Sequence, residues 1–479
     1  MRISCRFARP LAGSGARAAF QRSRHVRDGA TALQKRQLLT LAMESSCDDS
    51  CVAILEKTGS RARLLHHNKV TCDNREFRGV HPAVAVVSHT RSLAGLVQES
   101  LKFLPEQTED KKQETGSKTI HVKNEAGEVK AKCKPDFVTV ARGPGMTANL
   151  SVGLNTAKGL ALAWQVPLLG VNHMQAHALT PRMVTALSRS EAATDTSAQD
   201  SDPEPSFPFL SLLVSGGHSL LLFSRSLCDH TILAEADNIA IGDLVDKCGR
   251  ALLPESILAA ESGSSVVYGR LLEAFTFPSG EADYHYSPPL RRADEIAPFD
   301  YPVGGWQLQA PLANSRSMDR FNFSGLNGIA QRIVTDRGAA MDDAERRVLA
   351  RETMRMAFEH LGSRVVNALQ NLRQKQDAGD SVSAVKTLVV SGGVASNRFL
   401  RHVLRSLLDV RGFRDVEIVA PPIKYCTDNA AMIAWTGMEM YEAGWRTDLS
   451  VLARKKWPLD PEQEGGILGA DGWLNTNVT

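Results

Sequence analysis

Two histidines four residues apart are the first candidates for chemistry in this chain. They are His173 and His177, in the stretch GVNHMQAHALTPR. Residues i and i+4 of a helix share one face, so both imidazoles can reach one metal ion. A zinc protease of the H-E-x-x-H type has a glutamate after the first histidine, where this chain has Met174. By itself, the pair indicates either a metal site or two ordinary helix residues that bind no ligand.

Four polar or glycine-rich turns follow apolar, strand-like runs. They are ESSCDDS (44–50), GPG (143–145), SGGH (215–218) and SGGVASN (391–397). Ligands of open α/β sheets bind at the carboxyl ends of strands, where glycines let the backbone approach and N–H groups form anion-binding nests. Two SGG turns at matching places in two halves of the chain therefore predict nucleotide binding. Neither a Walker A loop nor a G-x-G-x-x-G turn is present.

The elements that must position these turns alternate between strands and helices, which predicts an α/β fold. Both halves open with a strand, a turn and a strand, so we expect a duplicated, two-lobed fold with a cleft. The first lobe is predicted at 37–186 and the second at 208–425. Residues 426–479 are predicted to form a C-terminal helix that returns to the first lobe, and a tail. The Ser-, Asp- and Pro-rich stretch 187–207 is interpreted as a disordered loop or hinge.

Positive charge is concentrated at the N-terminus. The chain has a formal net charge of +3, but residues 1–36 contain eight arginines, one lysine and one aspartate. This segment is typical of a mitochondrial transit peptide, with a basic nucleic-acid-binding tail as the alternative. The rest of the chain carries −5, so any nucleic-acid binding there needs a local basic patch. The eight scattered cysteines suit a reducing compartment, and no apolar run is long enough to predict a membrane span.

Several longer motifs occur in a recognisable order. They are MESSCDD, GPGMTANLSVGLNTAKGLA, NHMQAHAL, LLVSGGHSLLL, GDLVDK, FNFSGL, VVSGGVASNRFLR and CTDNAAMIA. Between about residues 38 and 440 the chain resembles the tRNA N6-adenosine threonylcarbamoyltransferase family. With its presequence it most resembles the mitochondrial branch of that family.

The resemblance implies a fold and a reaction. The fold would be two RNase-H-like lobes of the actin, heat-shock ATPase and sugar-kinase superfamily, around a nucleotide cleft. The reaction would move a threonylcarbamoyl group from threonylcarbamoyl-AMP, supplied by a separate synthase, to N6 of the adenosine 3′ of the anticodon. The tRNAs would be mitochondrial ones that read ANN codons. A homodimer in the mitochondrial matrix, without a membrane partner, is also implied.

The resemblance also implies site residues. His173, His177 and Asp428 would bind one divalent metal ion, zinc or iron. The adenylate would contact Val214, Ser215, Gly216 and Gly217 of the SGG turn, with Asp246, Gly263 and Asn397. Asp48 matches an acidic position near the reacting group and is the candidate catalytic residue. By themselves, Asp428 and Asn397 would be interpreted as helix N-caps, and Asp246 as a helix-surface carboxylate.

The chain departs from the family pattern in two places. In the stretch GVHPAVAVVSH (79–89) the chain keeps the family-like Pro82, Ala85 and His89, but Ala83 and Val87 stand where the family has a typical Glu and Arg. Ser264 replaces the second residue of a Gly-Gly pair. The contacts of those family residues therefore do not carry over.

A tRNA partner requires positive charge near the cleft. The candidates are Arg398, Arg401, Arg405, Arg411, Arg414, Arg454, Lys455 and Lys456, which could equally form a solvated face. A metalloprotease, a small-molecule kinase and an ATP-dependent clamp of the heat-shock type are the alternative functions. The missing glutamate beside His173 counts against the metalloprotease. The lack of a sugar-site signature counts against the kinase, and the short segment after Asp428 counts against the clamp.

Overall fold

The structure is a computed structural model, and it describes residues 37–74, 76, 80–107, 119–124, 126–191, 202–259, 267–379 and 384–477. The predicted presequence, Gly263 and Ser264 lie outside the described residues. The strands are β1 (Gln37–Glu44), β2 (Asp49–Thr58), β3 (Arg61–Thr71), β4 (Thr119–Lys123), β5 (Val129–Cys133), β6 (Phe137–Gly143), β7 (Leu168–Asn172), β8 (Phe209–Val214), β9 (Ser219–Ser226), β10 (Asp229–Ala236), β11 (Phe299–Tyr301), β12 (Trp306–Leu308), β13 (Arg320–Phe321), β14 (Thr387–Ser391), β15 (Glu417–Val419), β16 (Trp445–Thr447) and β17 (Trp473–Asn475). The α-helices are α1 (Pro82–Leu101), α2 (Thr147–Trp164), α3 (His173–Glu191), α4 (Ile241–Leu252), α5 (Glu255–Ala259), α6 (Tyr268–Thr276), α7 (Arg292–Glu295), α8 (Ser324–Arg337), α9 (Asp343–Asp377), α10 (Arg398–Val410) and α11 (Ala430–Glu442).

The first sheet is built around β1, whose apolar run is buried on both faces. Its order is β17-β16-β7-β6-β1-β2-β3. β1 pairs antiparallel with β2 and parallel with β6, and β6 pairs parallel with β7. The carboxyl ends of β1, β6 and β7 therefore meet at one edge of the sheet, where the ESSCDDS and GPG turns and His173 follow.

The second sheet repeats this arrangement around β8. Its order is β13-β10-β9-β8-β14-β15, with β8 antiparallel to β9 and parallel to β14. In both sheets a three-stranded antiparallel meander is extended on its first strand by two parallel strands, which is the RNase-H-like pattern. The predicted α/β fold with two lobes of this type is confirmed.

Helix α11 covers the first sheet with α3. Trp435 and Met438 of α11 share a buried cluster with Ala176 and Leu179 of α3. A Cβ on Gly437 would overlap the side chain of Thr139 on β6, so the helix backbone lies directly on the sheet. The 35-residue α9 forms the core of the second half with Phe358 and Leu361.

The polar, lysine-rich stretch between α1 and β6 contains the antiparallel β4–β5 hairpin, which the sequence did not predict. Helix α3 continues to Glu191, so the predicted loop or hinge at 187–207 is wrong for its first residues. The helix extends because Val184 and Leu187 pack against the first buried cluster. Residues 192–201 lie outside the described residues. Among the helices that the structure describes, none is long and apolar enough to cross a membrane.

Candidate metal centre and adjoining glycine turns

The two histidines lie in the first turns of α3, directly after β7. The side-chain oxygen of Asn172 accepts hydrogen bonds from the backbone N–H groups of Met174 (2.9 Å) and Gln175 (3.1 Å). This capping lets the helix begin without a loop. The rings of His173 and His177 lie 4.7 Å apart and nearly perpendicular. The prediction that both imidazoles share one helix face is confirmed.

Asp428 meets the histidines from the other end of the chain. Its Oδ1 lies 3.1 Å from Nε2 of His177 and 3.4 Å from Nε2 of His173. The helix N-cap is Asn429, whose side chain accepts from the backbone N–H of Met432 (2.9 Å). The interpretation of Asp428 as a cap is therefore wrong by one residue, and its carboxylate is available to the histidines.

A fourth residue, Glu44, is part of this cluster and was missed by sequence reasoning. Its carboxylate is completely buried at the end of β1, and Oε2 lies 2.9 Å from Nδ1 of His173. The hydroxyl of Ser46 lies 3.3 Å from the same nitrogen. A hydrogen bond on Nδ1 orients the ring and directs Nε2 towards Asp428. The one signal for Glu44 in the sequence was its place at the end of an apolar, strand-like run, where a carboxylate becomes buried.

The cluster has strongly shifted pKa values. Burial disfavours the charged form of His173, but the carboxylates of Glu44 and Asp428 outweigh it and hold the pKa of His173 well above its usual value. Burial alone would raise the pKa of Asp428, and His173 and His177 hold it well below its usual range. The aspartate is therefore ionised at neutral pH and suited to bind a cation.

The three donor atoms are close enough to share one divalent ion. The three candidate ligand atoms all lie within 4.8 Å of one another. In a tetrahedral site with bonds of about 2.0–2.1 Å, neighbouring ligand atoms stand about 3.3 Å apart. The distances from Asp428 to the two imidazoles, 3.1 and 3.4 Å, match that spacing. Two imidazoles and a carboxylate suit zinc or iron.

Asp48 lies in the turn after β1 and is half-buried. Its pKa is raised by burial and by the charges of Asp49 and Asp428, so it lies near the metal cluster. The turn is held from α1 by His89, whose Nδ1 lies 2.7 Å from the hydroxyl of Ser50 and whose Nε2 lies 3.0 Å from the carbonyl of Cys47. These contacts hold the chain in place on both sides of Asp48.

The substitutions Ala83 and Val87 do not disturb this support. Both residues lie on the exposed side of α1, whereas Ala85 and His89 lie on its buried side. The contacts to the Asp48 turn therefore come from the buried side of α1 and not from positions 83 and 87.

The two SGG turns lie against each other. Gly392 has a φ of +96°, and a Cβ there would overlap the carbonyl of Val214. The side chain of Ser215 accepts from the backbone N–H of His218 (3.0 Å), while the space above Gly216 and Gly217 is open. The sequence prediction that these turns are placed at strand ends is confirmed, and the open space can admit a ligand.

His218 links the SGG turn to the metal cluster. His218 is exposed, yet desolvation by the surrounding protein and the charges of His173 and His177 lower its pKa to about 4. His218 is therefore neutral at pH 7 and faces the candidate ligands from the second sheet. Sequence reasoning had not singled it out.

The remaining predicted residues lie on neighbouring helices. Burial raises the pKa of Asp246, which lies one turn after Gly242 on α4. The amide nitrogen of Gly242 in turn donates to the carbonyl of Ser215 (3.1 Å). The side-chain oxygen of Asn397 caps α10 by accepting from the backbone N–H of Leu400 (2.9 Å).

The two sheets of one topology and the adjoining glycine turns place the chain in the actin, heat-shock ATPase and sugar-kinase superfamily. A family model described as tRNA N6-adenosine threonylcarbamoyltransferase matches residues 103–435. The chain belongs to the tRNA N6-adenosine threonylcarbamoyltransferase family, and it is a transferase that acts on tRNA.

Curated proteins with this family name match the chain over most of their length. The mitochondrial tRNA N6-adenosine threonylcarbamoyltransferase of Schizosaccharomyces pombe is 32% identical, over 93% of this chain and 91% of the relative. The enzyme of Maricaulis maris is 31% identical, over 89% and 92%. Among solved structures, component A of (R)-2-hydroxyglutaryl-CoA dehydratase from Acidaminococcus fermentans has a TM-score of 0.35 and 12% identity, covering 84% of this chain and 97% of that chain.

Proposed function

We propose that this chain transfers the threonylcarbamoyl group of threonylcarbamoyl-AMP to N6 of the adenosine 3′ of the anticodon, in mitochondrial tRNAs that read ANN codons. The observation that carries the proposal is the convergence of His173, His177 and Asp428 beside a glycine turn with open space above it. Family membership supports the acyl group and the tRNA acceptor.

The donor must be activated because the lone pair of the N6 amine is delocalised into the adenine ring. A mixed carbamic–phosphoric anhydride provides that activation. The N6 lone pair attacks the carbamoyl carbon, the bond from that carbon to the phosphate oxygen breaks, and AMP leaves with the bonding electrons. The proton lost from N6 passes to the carboxylate of Asp48, whose raised pKa makes it a better proton acceptor.

Positioning is the main task that remains for the protein. The open backbone at Gly216 and Gly217 binds the adenylate phosphate, and Asp246 and Asn397 contact the nucleoside. His173, His177 and Asp428 hold one divalent ion, zinc or iron. When bound, that ion polarises the carbamoyl carbonyl as a Lewis acid. Glu44 orients the imidazole of His173 through Nδ1.

The cellular setting is part of the proposal. The S. pombe relative is named as mitochondrial. We place this chain in the mitochondrial matrix, with residues 1–36 as the transit peptide. It acts as a homodimer, and a separate synthase supplies threonylcarbamoyl-AMP.

The direct test supplies the full chain with threonylcarbamoyl-AMP synthase, threonine, bicarbonate, ATP and a mitochondrial ANN-reading tRNA transcript. Nucleoside mass spectrometry should detect threonylcarbamoyladenosine. His177→Ala should lose bound metal and product together, whereas Thr185→Ala, two turns later on α3, should keep both. If the wild-type chain gives no modified nucleoside while a bacterial family member does, the proposal is wrong.

A further inference from the structure

A cavity lined by arginines lies between helix α10 and the edge strand β15 of the second sheet. It has a volume of about 520 Å³ and is lined by Arg401, Arg405, Arg414 and residues 415–418. Arg401 and Arg405 are four residues apart on α10 and share a face, while Arg414 lies just before the edge strand β15. Three of the arginines that sequence reasoning could not assign therefore line one concave surface.

The three side chains are held differently. Arg405 is fixed, because its Nε donates to Oδ1 of Asp409 (2.8 Å) and its Nη1 to the carbonyl of Val416 (2.6 Å). Arg401 and Arg414 are exposed, and neither forms a side-chain hydrogen bond or salt bridge with any residue that the structure describes. Two guanidinium groups are therefore available to a ligand beside one that is already oriented.

The carboxylate of Glu273 attracts Arg401 but accepts its hydrogen bonds from the backbone N–H groups of Arg398 (2.6 Å) and Phe399 (3.2 Å). Asp409 is paired with Arg405, and Asp415 lies 3.7 Å from Arg373. Glu417 is the remaining acid in the lining. A planar guanidinium binds phosphate oxygens in a bidentate way, so the free groups suit a phosphodiester.

The two elements that line the cavity, α10 and β15, both lead along the chain to residues of the candidate site. Helix α10 begins directly after Asn397, so Arg401 and Arg405 lie about 6 and 12 Å along its axis from that residue, at about 1.5 Å per residue. Strand β15 ends at Val419, nine residues before Asp428. Arg401 and Arg405 are therefore close enough to Asn397 for one RNA backbone to reach from the candidate site to α10.

We propose that Arg401, Arg405 and Arg414 bind backbone phosphates of the tRNA substrate, so that this cavity is part of the RNA-binding surface. The inference rests on the proposed function, because it takes tRNA as the substrate. It also accounts for binding by a chain whose residues after 36 carry a net charge of −5, since such a chain needs locally concentrated positive charge.

The test uses the double variant Arg401→Gln/Arg414→Gln of the full chain and a mitochondrial ANN-reading tRNA transcript. We expect its dissociation constant for tRNA to rise about 10–100-fold at about 0.1 M salt, and its salt slope to fall by about one per arginine. A tRNA that reads other codons should lose affinity equally, because phosphate contacts carry no sequence information. Arg401→Lys/Arg414→Lys should restore the salt slope and part of the affinity.

The matched control is Arg63→Gln/Arg225→Gln, which removes the same charge from exposed positions on β3 and β9. It should leave both quantities unchanged, and thermal unfolding should show that both double variants are folded. If the Arg401/Arg414 variant binds tRNA as tightly as the wild type does, the inference is overturned. The same result is expected if the natural ligand of the cavity is an acidic protein and not tRNA. If the wild type itself neither binds nor modifies tRNA, the proposed function fails.

Discussion

Glu44 determines how the first histidine is presented. It lies in the interior with no exposed surface, and its contact to Nδ1 of His173 leaves Nε2 as the nitrogen that faces Asp428. Carboxylate–histidine pairs of this kind fix the tautomer and orientation of a ligand imidazole. The candidate metal centre therefore extends one residue beyond its three ligands.

We predict that Glu44→Gln lowers the affinity for zinc or iron by about 10–100-fold while the chain stays folded. The amide keeps the size of the side chain but loses the charge that stabilises the ring. Metal content after dialysis against a graded chelator series measures the effect. Glu56→Gln, a buried carboxylate on β2, is the control and should keep its metal. Equal metal retention in both variants would show that Glu44 does not orient the ligand.

The residue scale also shows what sequence could predict. The spacing of His173 and His177 placed both on one helix face, because helical periodicity is local. Asp428 is 251 residues from His177 and came only from the family resemblance. Glu44 was missed because its contact depends on β1 and β7 being close in one sheet. Asp428 and Asn429 were confused because a helix boundary is poorly defined by sequence.

At the scale of elements, helix α11 lies directly on the first sheet. Gly437 lies over Thr139, whose hydroxyl is 3.0 Å from that of Thr40 inside the first sheet. No room remains for a methyl group, so the register of α11 on β6 is fixed by one glycine. Because α11 follows Asn429 directly, that register also sets where Asp428 lies.

We predict that Gly437→Ala lowers the free energy of unfolding by about 1–2 kcal/mol, because overpacking exceeds the gain in helix propensity. Chemical denaturation measures this change. Gly328→Ala on α8, where a Cβ meets nothing within 4 Å, should instead be neutral or stabilising by up to about 1 kcal/mol. The combination of Gly437→Ala with Thr139→Ala should recover part of the loss. Equal effects of the two glycine substitutions would contradict the close-packing explanation.

The order of the elements could be predicted from the sequence pattern, whereas features that depend on tertiary contacts could not. Apolar runs that end in glycine turns repeat in both halves, and this pattern indicated two similar α/β units. The β4–β5 hairpin was not predicted, because its strands are short and rich in lysine. The extension of α3 to Glu191 depends on tertiary packing of Leu187, which a local Ser-rich composition does not reveal.

At the scale of the whole molecule, charge is buried in the second half as well as at the candidate site. Burial raises the pKa of Glu359 on α9 to about 7, although Arg355 lies 2.8 Å away and lowers it. The folded state therefore binds more protons than the unfolded state between about pH 4.5 and 7. The stabilisation that Glu359 contributes is fully present below its pKa in the unfolded state. It is lost as the pH rises through its pKa in the folded state.

We predict that the free energy of unfolding of the wild type, measured relative to that of Glu359→Gln, decreases over this pH window. The amide imitates the protonated carboxyl and does not ionise. Denaturation at a series of pH values measures both slopes. Glu462→Gln, at an exposed position near the C-terminus, serves as control and should keep the wild-type slope. Parallel curves for wild type and Glu359→Gln would contradict the assignment.

The distance along the chain between His177 and Asp428 has a consequence for when the ion is captured. A nascent or refolding chain can form α3 early and present two imidazoles, but its third ligand arrives only when α11 docks on the first sheet. Two imidazoles alone hold an ion far more weakly than three ligands do. Under the proposed metal binding, the chain therefore holds the ion tightly only after α11 has docked, and a variant whose C-terminal helix is displaced releases it.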